Sequence, residues 1–134
     1  MIHQAIDDYI VFLTVEKGAS HNTIEAYSND VRKFAQYLED SEINRWNQVD
    51  NSTIRGYMAT MQQEEITNTT RARNVAALKS FFRFLYMEKY TDYNLGEVLD
   101  EILPFLGERV QFLVSIHSEG GVKCSDKRED KSET

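Results

Sequence analysis

The chain has 134 residues, a hydrophobic content of 41%, a charged content of 28% and a formal net charge of -7. This length suits one domain, and an acidic balance of this size argues, taken as an average, against a nucleic-acid partner. The single cysteine excludes an intrachain disulfide. Acidic residues lie near the N-terminus, where a signal peptide would be apolar, and no segment approaches the roughly 18 apolar residues of a membrane span. We therefore expect a cytoplasmic protein that contacts no membrane.

Four helices are predicted between residue 2 and about residue 95, because apolar residues recur there every three or four positions. Ser20 or Asn22, Asp50 or Ser52, and a residue between Thr67 and Thr70 are candidates for the N-caps of the second, third and fourth helices. Trp46 is predicted to anchor the loop before the third helix. In chain order, the four apolar stripes are Ile6, Tyr9, Ile10 and Leu13; Ile24, Tyr27, Val31, Phe34 and Leu38; Ile54, Tyr57, Met58 and Met61; and Val75, Leu78, Phe82 and Leu85.

The pattern changes from Asn94 onward. Residues 110 to 116 alternate apolar and other side chains like a strand, and their β-propensity without charge or proline is typical of an aggregation-prone segment. Residues 119 to 134 are charged and free of aromatic side chains, which predicts disorder. We therefore expect an irregular tail over residues 96 to 134, and a chain stopped near residue 96 is expected to fold as well as the whole.

Positive charge is concentrated around the fourth predicted helix. Since a polyanion responds to the local charge, the acidic average does not exclude a nucleic acid as partner. Glu88 is the one acid among residues 67 to 89, and the cations of that segment are Arg71, Arg73, Lys79, Arg83 and Lys89.

The face opposite the apolar stripe of the fourth helix is predicted to carry Thr70, Arg73, Ala77 and Ser80, with Asn74 on its flank. Short side chains let a helix approach a surface, and arginine and asparagine have donors suited to guanine and adenine edges. Hydroxyls at the helix start can meet phosphate oxygens. An ordinary solvent-exposed face would have the same residues, so the helical-wheel pattern leaves both a DNA contact and a simple solvated face open. The candidate DNA contacts here are Thr69, Thr70, Arg71, Arg73, Asn74 and Ala77.

The second helix has a similar outward strip, formed by Asn22, Ala26, Asn29 and Lys33. Short polar side chains crowd its first turn, where one of them serves as the cap and the others are available to a phosphate. The candidate DNA contacts on this helix are Ser20, Asn22, Thr23 and Ala26.

Residues 16 to 38, EKGASHNTIEAYSNDVRKFAQYL, resemble the start of the core-binding domain of tyrosine recombinases, the family of phage integrases and Xer-type recombinases. The family pattern of a glycine, Ser-x-Asn-Thr, Ala-Tyr, Asp, Phe and Leu is met by Gly18, Ser20, Asn22, Thr23, Ala26, Tyr27, Asp30, Phe34 and Leu38. A second pattern, Thr/Ser-x-x-Arg leading into Leu-x-x-Leu-Arg-Ser-Phe-x-x-Phe-Leu, is matched by Thr70, Arg73, Leu78, Ser80, Phe81, Phe84 and Leu85, with Val75 and Lys79 as departures. The resemblance spans residues 2 to about 95.

This resemblance implies an all-α fold, a four-helix SAM-like orthogonal bundle over residues 1 to 95 that forms half of a C-shaped clamp on DNA. The second and fourth helices of such a bundle lie against the major groove. The implied partners are double-stranded DNA and other recombinase protomers, in DNA integration or recombination. No cofactor is implied, and His3, His21, His117 and Cys124 lack the spacing of zinc ligands.

Family members continue after an Asn-Pro into a catalytic domain that supplies a tyrosine nucleophile, but this chain reads Asn94-Leu95. We therefore interpret residues 96 to 134 as a linker remnant or a truncated or frameshifted segment. The chain is expected to bind DNA and not to be an enzyme. An intact recombinase and a helical protein-interaction module without DNA binding are the alternative hypotheses, and salt-sensitive DNA binding would separate DNA recognition from protein interaction.

Overall fold

A computed structural model describes residues 2 to 117, and every regular element in that range is a helix. The all-α prediction is confirmed, whereas the predicted disorder of residues 119 to 134 lies outside the described residues. Short 3₁₀ segments stand at Trp46–Gln48 and Leu103–Leu106. The α-helices are α1 (Ile2–Val15), α2 (His21–Asp40), α3 (Asn51–Gln62), α4 (Asn68–Met87), α5 (Gly96–Ile102) and α6 (Glu108–Ile116).

Local signals fix where the first four helices begin and end. α1 is followed by Gly18, whose φ of +59° lies in the left-handed region that favours glycine. The capping oxygens of α2, α3 and α4 belong to Ser20, Asp50 and Thr67, and each accepts the backbone N–H three residues later, at 3.1, 2.9 and 3.1 Å. Each of these caps was among the candidates, so the sequence predicted the helix starts correctly.

The four predicted stripes meet in one aromatic core. Phe34 of α2 lies at its centre, with ring centroids 6.4 Å from Trp46, 5.0 Å from Tyr57 and 5.4 Å from Phe82. Trp46 is buried beneath the α2–α3 connection and Phe82 is fully buried, as predicted. Edge-to-face aromatic pairs of this kind add to the stabilisation from burial alone.

Residues 110 to 116, whose alternation resembles a strand, form most of α6, and the stretch from residue 96 that was expected to be irregular also contains α5. Val110 and Val114, one helical turn apart, are each 1% exposed, while Phe112 and Ile116 point outward. Apolar residues at every second position contain i, i+4 pairs as well, so the sequence pattern fits a helix that buries one such pair. α6 packs against α4, and α5 contributes Leu99 to the same core, so the apolar core continues beyond residue 95.

α4 is buried on more sides than the helical wheel predicted. Asn74 and Ala77, expected on or beside an outward strip, are 3% and 0% exposed, and Ser80 accepts a hydrogen bond from the hydroxyl of Tyr9 at 2.7 Å. The wheel prediction assumed one buried stripe, whereas α4 is packed against α1, α2, α5 and α6. A helix surrounded by four others buries most of its circumference.

Candidate nucleic-acid interface

The outward strip of α2 is accessible, as predicted. Asn22, Asn29 and Lys33 are exposed and Ala26 is half-buried, while the opposite stripe of the helix faces the aromatic core. The side chain of Asn22 forms no hydrogen bond with the described part of the chain. α2 therefore presents short polar side chains and one cation along a single face.

The first turn of α2 uses two of its candidate side chains internally. The Ser20 hydroxyl accepts the backbone N–H of Thr23 and also donates to the Thr23 hydroxyl at 2.9 Å. Both hydroxyls lie at the positive end of the helix dipole, where backbone N–H groups favour an anion. The cap is therefore structural, and Asn22 beside it is free to contact a ligand.

Arg73 is held in a bidentate ion pair between α4 and α2. Its Nε and Nη2 donate to Oδ2 and Oδ1 of Asp30 at 2.8 and 2.9 Å. The Asp30 side chain is 5% exposed and that of Arg73 33% exposed. Hydrogen bonding to Asp30 raises the pKa of Arg73, and this fork geometry matches a carboxylate as well as it would match a guanine edge. Arg73 therefore holds α4 against α2, and the two donors that face Asp30 are already occupied.

Sequence reasoning did not identify Asp30 as the partner of Arg73, although both belong to the quoted family patterns. The available signal was an acid at position 30, directly beside the core residue Val31, where an unpaired carboxylate would be costly. Such a signal predicts that a buried acid needs a cation, but the residue that supplies it depends on how α2 and α4 cross.

Two further candidates on α4 have internal roles. The Nη2 of Arg71 lies 3.5 Å from the carbonyl oxygen of Met61 and 3.4 Å from that of Glu64, which ties α4 to the end of α3. The amide nitrogen of Asn74 donates to the carbonyl oxygen of Thr70 at 3.0 Å. With Ala77 fully buried, the accessible candidates at this end of α4 are Thr69, which is exposed, and Thr70, which is half-buried.

The ion pairs show how the two candidate helices lie relative to each other. Lys33 in the second half of α2 contacts Glu64, just before α4, at 2.6 Å, and Asp30 one turn earlier contacts Arg73. The chains of α2 and α4 therefore run in opposite directions along this contact. The start of α4 lies beside the middle of α2, while the start of α2 lies roughly 20 Å away, at about 1.5 Å per residue. The two helix starts mark the ends of one strip and do not form one cluster.

Three tyrosine hydroxyls have distinct surroundings in the bundle. The hydroxyl of Tyr9 donates to Ser80, and burial, followed by the nearby charge of Asp30, raises the pKa of Tyr27 to about 12. The hydroxyl of Tyr93 donates to the carbonyl oxygen of Val49 at 2.8 Å. The hydroxyls of Tyr9 and Tyr93 therefore serve to join elements of the bundle.

Two kinds of feature are absent from the part of the chain that the structure describes. Between residues 2 and 117, no group of three or more His, Cys, Asp and Glu side chains is arranged to hold a metal ion. Within the same range, none of the helices combines the length and the apolar character needed to cross a bilayer.

Comparison with known proteins gives matches to tyrosine recombinases over the N-terminal part of the chain. Tyrosine recombinase XerD of Listeria monocytogenes is 39% identical over 85 residues, which cover 63% of this chain and 29% of that protein. Tyrosine recombinase XerC of Pelotomaculum thermopropionicum is 39% identical over 95 residues, which cover 66% and 31%. Tyrosine recombinase XerD of Oceanobacillus iheyensis is 29% identical over 92 residues, which cover 68% and 31%.

The share of each relative that is covered is similar in the three alignments. The chain spans about a third of the length of the curated relatives that it matches. No solved structure matches it significantly. The family model described as phage integrase, N-terminal SAM-like domain, matches residues 6 to 89, which takes in most of α1 and all of α2, α3 and α4. The chain therefore belongs to the family of phage integrase N-terminal SAM-like domains.

Proposed function

We propose that this chain binds duplex DNA non-covalently, through the exposed strip of α2 and the start of α4. The observation that carries the proposal is the accessible polar face of Asn22, Asn29 and Lys33, which Lys33 joins to Glu64, four residues before the start of α4. Membership of an integrase family supports the choice of DNA as the partner, and so do relatives named tyrosine recombinases. Strand cleavage is not part of the proposed role of these residues.

The proposed contacts differ from the set that the sequence suggested. Asn22, Thr23, Lys33, Thr69 and Thr70 are available to the phosphates or base edges, together with the N–H groups of the two first turns. Of the other candidates, Ala26 lies half-buried on the same strip and has no polar group to offer, while five keep internal roles: Ser20 caps α2, Arg71 and Arg73 tie helices together, and Asn74 and Ala77 are buried.

The local charge on this surface is small, which sets the expected strength of binding. Lys33 is partly neutralised by Glu64 at 2.6 Å, and the chain as a whole is acidic. Few counterions are then released from DNA, so we expect dissociation constants of about 10⁻⁴ to 10⁻⁶ M at physiological salt. The association of this chain with recombinase protomers remains a further prediction.

An NMR titration with a 16-base-pair duplex tests the surface directly. Backbone shifts are expected to gather at residues 20 to 33 and 67 to 71, and to shrink as salt is added. Shifts confined to α1 and α3 would contradict the proposed surface. No shift at low salt would instead favour the protein-interaction alternative.

A matched pair of lysine substitutions separates a direct contact with DNA from the general electrostatic attraction of the protein's cations. Lys33→Gln removes a cation on the proposed surface, while Lys89→Gln removes an exposed cation beyond the end of α4. By fluorescence anisotropy at several salt concentrations, Lys33→Gln should reduce the slope of log K against log salt by about 1, and Lys89→Gln should leave it unchanged. Equal effects would mean that the α2 strip is only solvated.

A further inference from the structure

A cleft of about 600 Å³ opens between α1, α4 and the end of α6, with Tyr27 of α2 also in its lining. Its lining carries the cations Lys17, Lys79 and Arg83 and the single acid Glu16. Lys79 is bonded to Asp100 at 2.7 Å, whereas Lys17 and Arg83 form no ion pair within residues 2 to 117. In a chain with a net charge of -7, this local excess of positive charge is suited to an anion.

One wall of the same cleft is aromatic. The rings of Phe12 and Phe84 lie with their centroids 5.1 Å apart, and the Nζ of Lys17 lies 5.6 Å from the Phe12 centroid. Met87, which also lines the cleft, is 58% exposed. Apolar surface next to free cations is suited to a ligand with an apolar body as well as a charge.

One residue that lines the cleft has a polar group without a partner. Tyr27 lines the cleft, is 2% exposed, and its buried hydroxyl has no hydrogen-bond partner in the described part of the chain. Buried hydroxyls are nearly always paired, so a ligand oxygen that reaches this hydroxyl would supply the partner that it lacks. His117, at the end of α6, lines the same space.

We propose that this cleft binds a small organic phosphate, a molecule in which an aromatic or apolar body carries a phosphate group. Lys17 and Arg83 hold the phosphate, the rings of Phe12 and Phe84 hold the body, and the Tyr27 hydroxyl donates to a ligand oxygen. The volume lies within the range of about 300 to 1,000 Å³ that is usual for small-molecule sites. The proposal does not depend on the proposed DNA surface, because none of these five residues is among the proposed DNA contacts.

Isothermal titration calorimetry of the full chain tests this with phenyl phosphate and, in parallel, inorganic phosphate. We expect saturable binding of phenyl phosphate at one site, at least about tenfold tighter than that of inorganic phosphate because the ring adds buried apolar contact. Absence of saturation, or equal affinity for the two probes, would overturn the proposal.

Three variants locate the site. Arg83→Gln should weaken phenyl phosphate binding about tenfold, while Arg109→Gln, an exposed arginine of α6 outside the cleft, should leave it unchanged. Tyr27→Phe should weaken binding without lowering the melting temperature, since it removes a hydroxyl that has no hydrogen-bond partner between residues 2 and 117. Equal losses in the two arginine variants would overturn the site. So would displacement of phenyl phosphate by a 16-base-pair duplex, which would assign the cleft to the DNA surface.

Discussion

Helices α1 to α4 and the shorter pair α5 and α6 contribute to one core in different ways. The first four are 12 to 20 residues long, interlock through aromatic rings, and in three cases begin at a side-chain cap. α5 and α6 have 7 and 9 residues, and neither begins at a side-chain cap in the part of the chain that the structure describes. Helices this short are not stable alone in water. The second region therefore depends on packing against the first, with α4 as the shared element.

The largest expected effect comes from Phe82, at the centre of the first region. Phe82→Ala removes a fully buried ring that packs on Phe34, and a loss of about 3–5 kcal/mol in the free energy of unfolding is expected. Phe105→Ala is the matched control, because Phe105 is 80% exposed. Denaturant unfolding should show a large fall in midpoint for Phe82→Ala and almost none for Phe105→Ala. A small effect at Phe82 would place the core elsewhere.

Leu99 tests whether the second region unfolds together with the first. Leu99→Ala removes a side chain that is 1% exposed, and a loss of about 2–3 kcal/mol is expected if α5 is part of the cooperative unit. Chemical denaturation followed by Trp46 fluorescence reports on the first region alone. A midpoint unchanged from the parent would show that α5 unfolds independently.

This expectation reverses the one drawn from the sequence, in which a chain stopped near residue 96 would fold as well as the whole. Such a chain would lose Leu99, Val110 and Val114, all buried, and would expose the parts of α4 that α5 and α6 cover. We expect it to melt at a lower temperature than the full chain. An unchanged or higher melting temperature would restore the original expectation.

Arg73 tests how the two candidate DNA helices are joined. Arg73→Ala leaves the nearly buried Asp30 without its two charged hydrogen bonds, and a loss of about 1–3 kcal/mol in stability is expected. The double variant Asp30→Ala, Arg73→Ala should lose less than the sum of the two single variants, because no unpaired charge remains. Additive losses in urea denaturation would mean that the pair contributes nothing to the α2–α4 contact.

The difference between the regions also explains what could be predicted from the sequence. In α1 to α4, long runs at the helical period and hydroxyl or carboxylate caps agree with each other, so the pattern and the local chemistry predict one answer. In α6, the alternation of apolar residues fits a strand, and the i, i+4 pair of Val110 and Val114 fits a helix. Packing against α4 decides in favour of the helix. The outward placement of Ala77 on α4 was wrong for the same reason, since its burial depends on tertiary packing and not on the sequence of α4.

The smallest expected effect concerns the cap of α3, a feature that α5 and α6 lack. The carboxylate of Asp50 accepts the backbone N–H of Thr53 at 2.9 Å, and this bond holds the pKa of Asp50 below its usual 3.8. Asp50→Ala should cost about 1 kcal/mol at pH 7, and Asp50→Asn less, because an amide oxygen still caps the helix.

The lowered pKa gives this cap a pH dependence of known sign. Because the folded chain binds the proton of Asp50 more weakly than the unfolded chain, the stabilisation is present above pH 3.8 and is lost as the pH falls through the lower folded value. The difference in melting temperature between the parent and Asp50→Asn should therefore be constant from pH 7 to about pH 5 and shrink towards pH 3. Asp50→Asn isolates the charge, since it keeps a capping oxygen and removes the titrating group. A difference that is the same at every pH would show that the cap acts through hydrogen bonding alone, without help from the helix dipole.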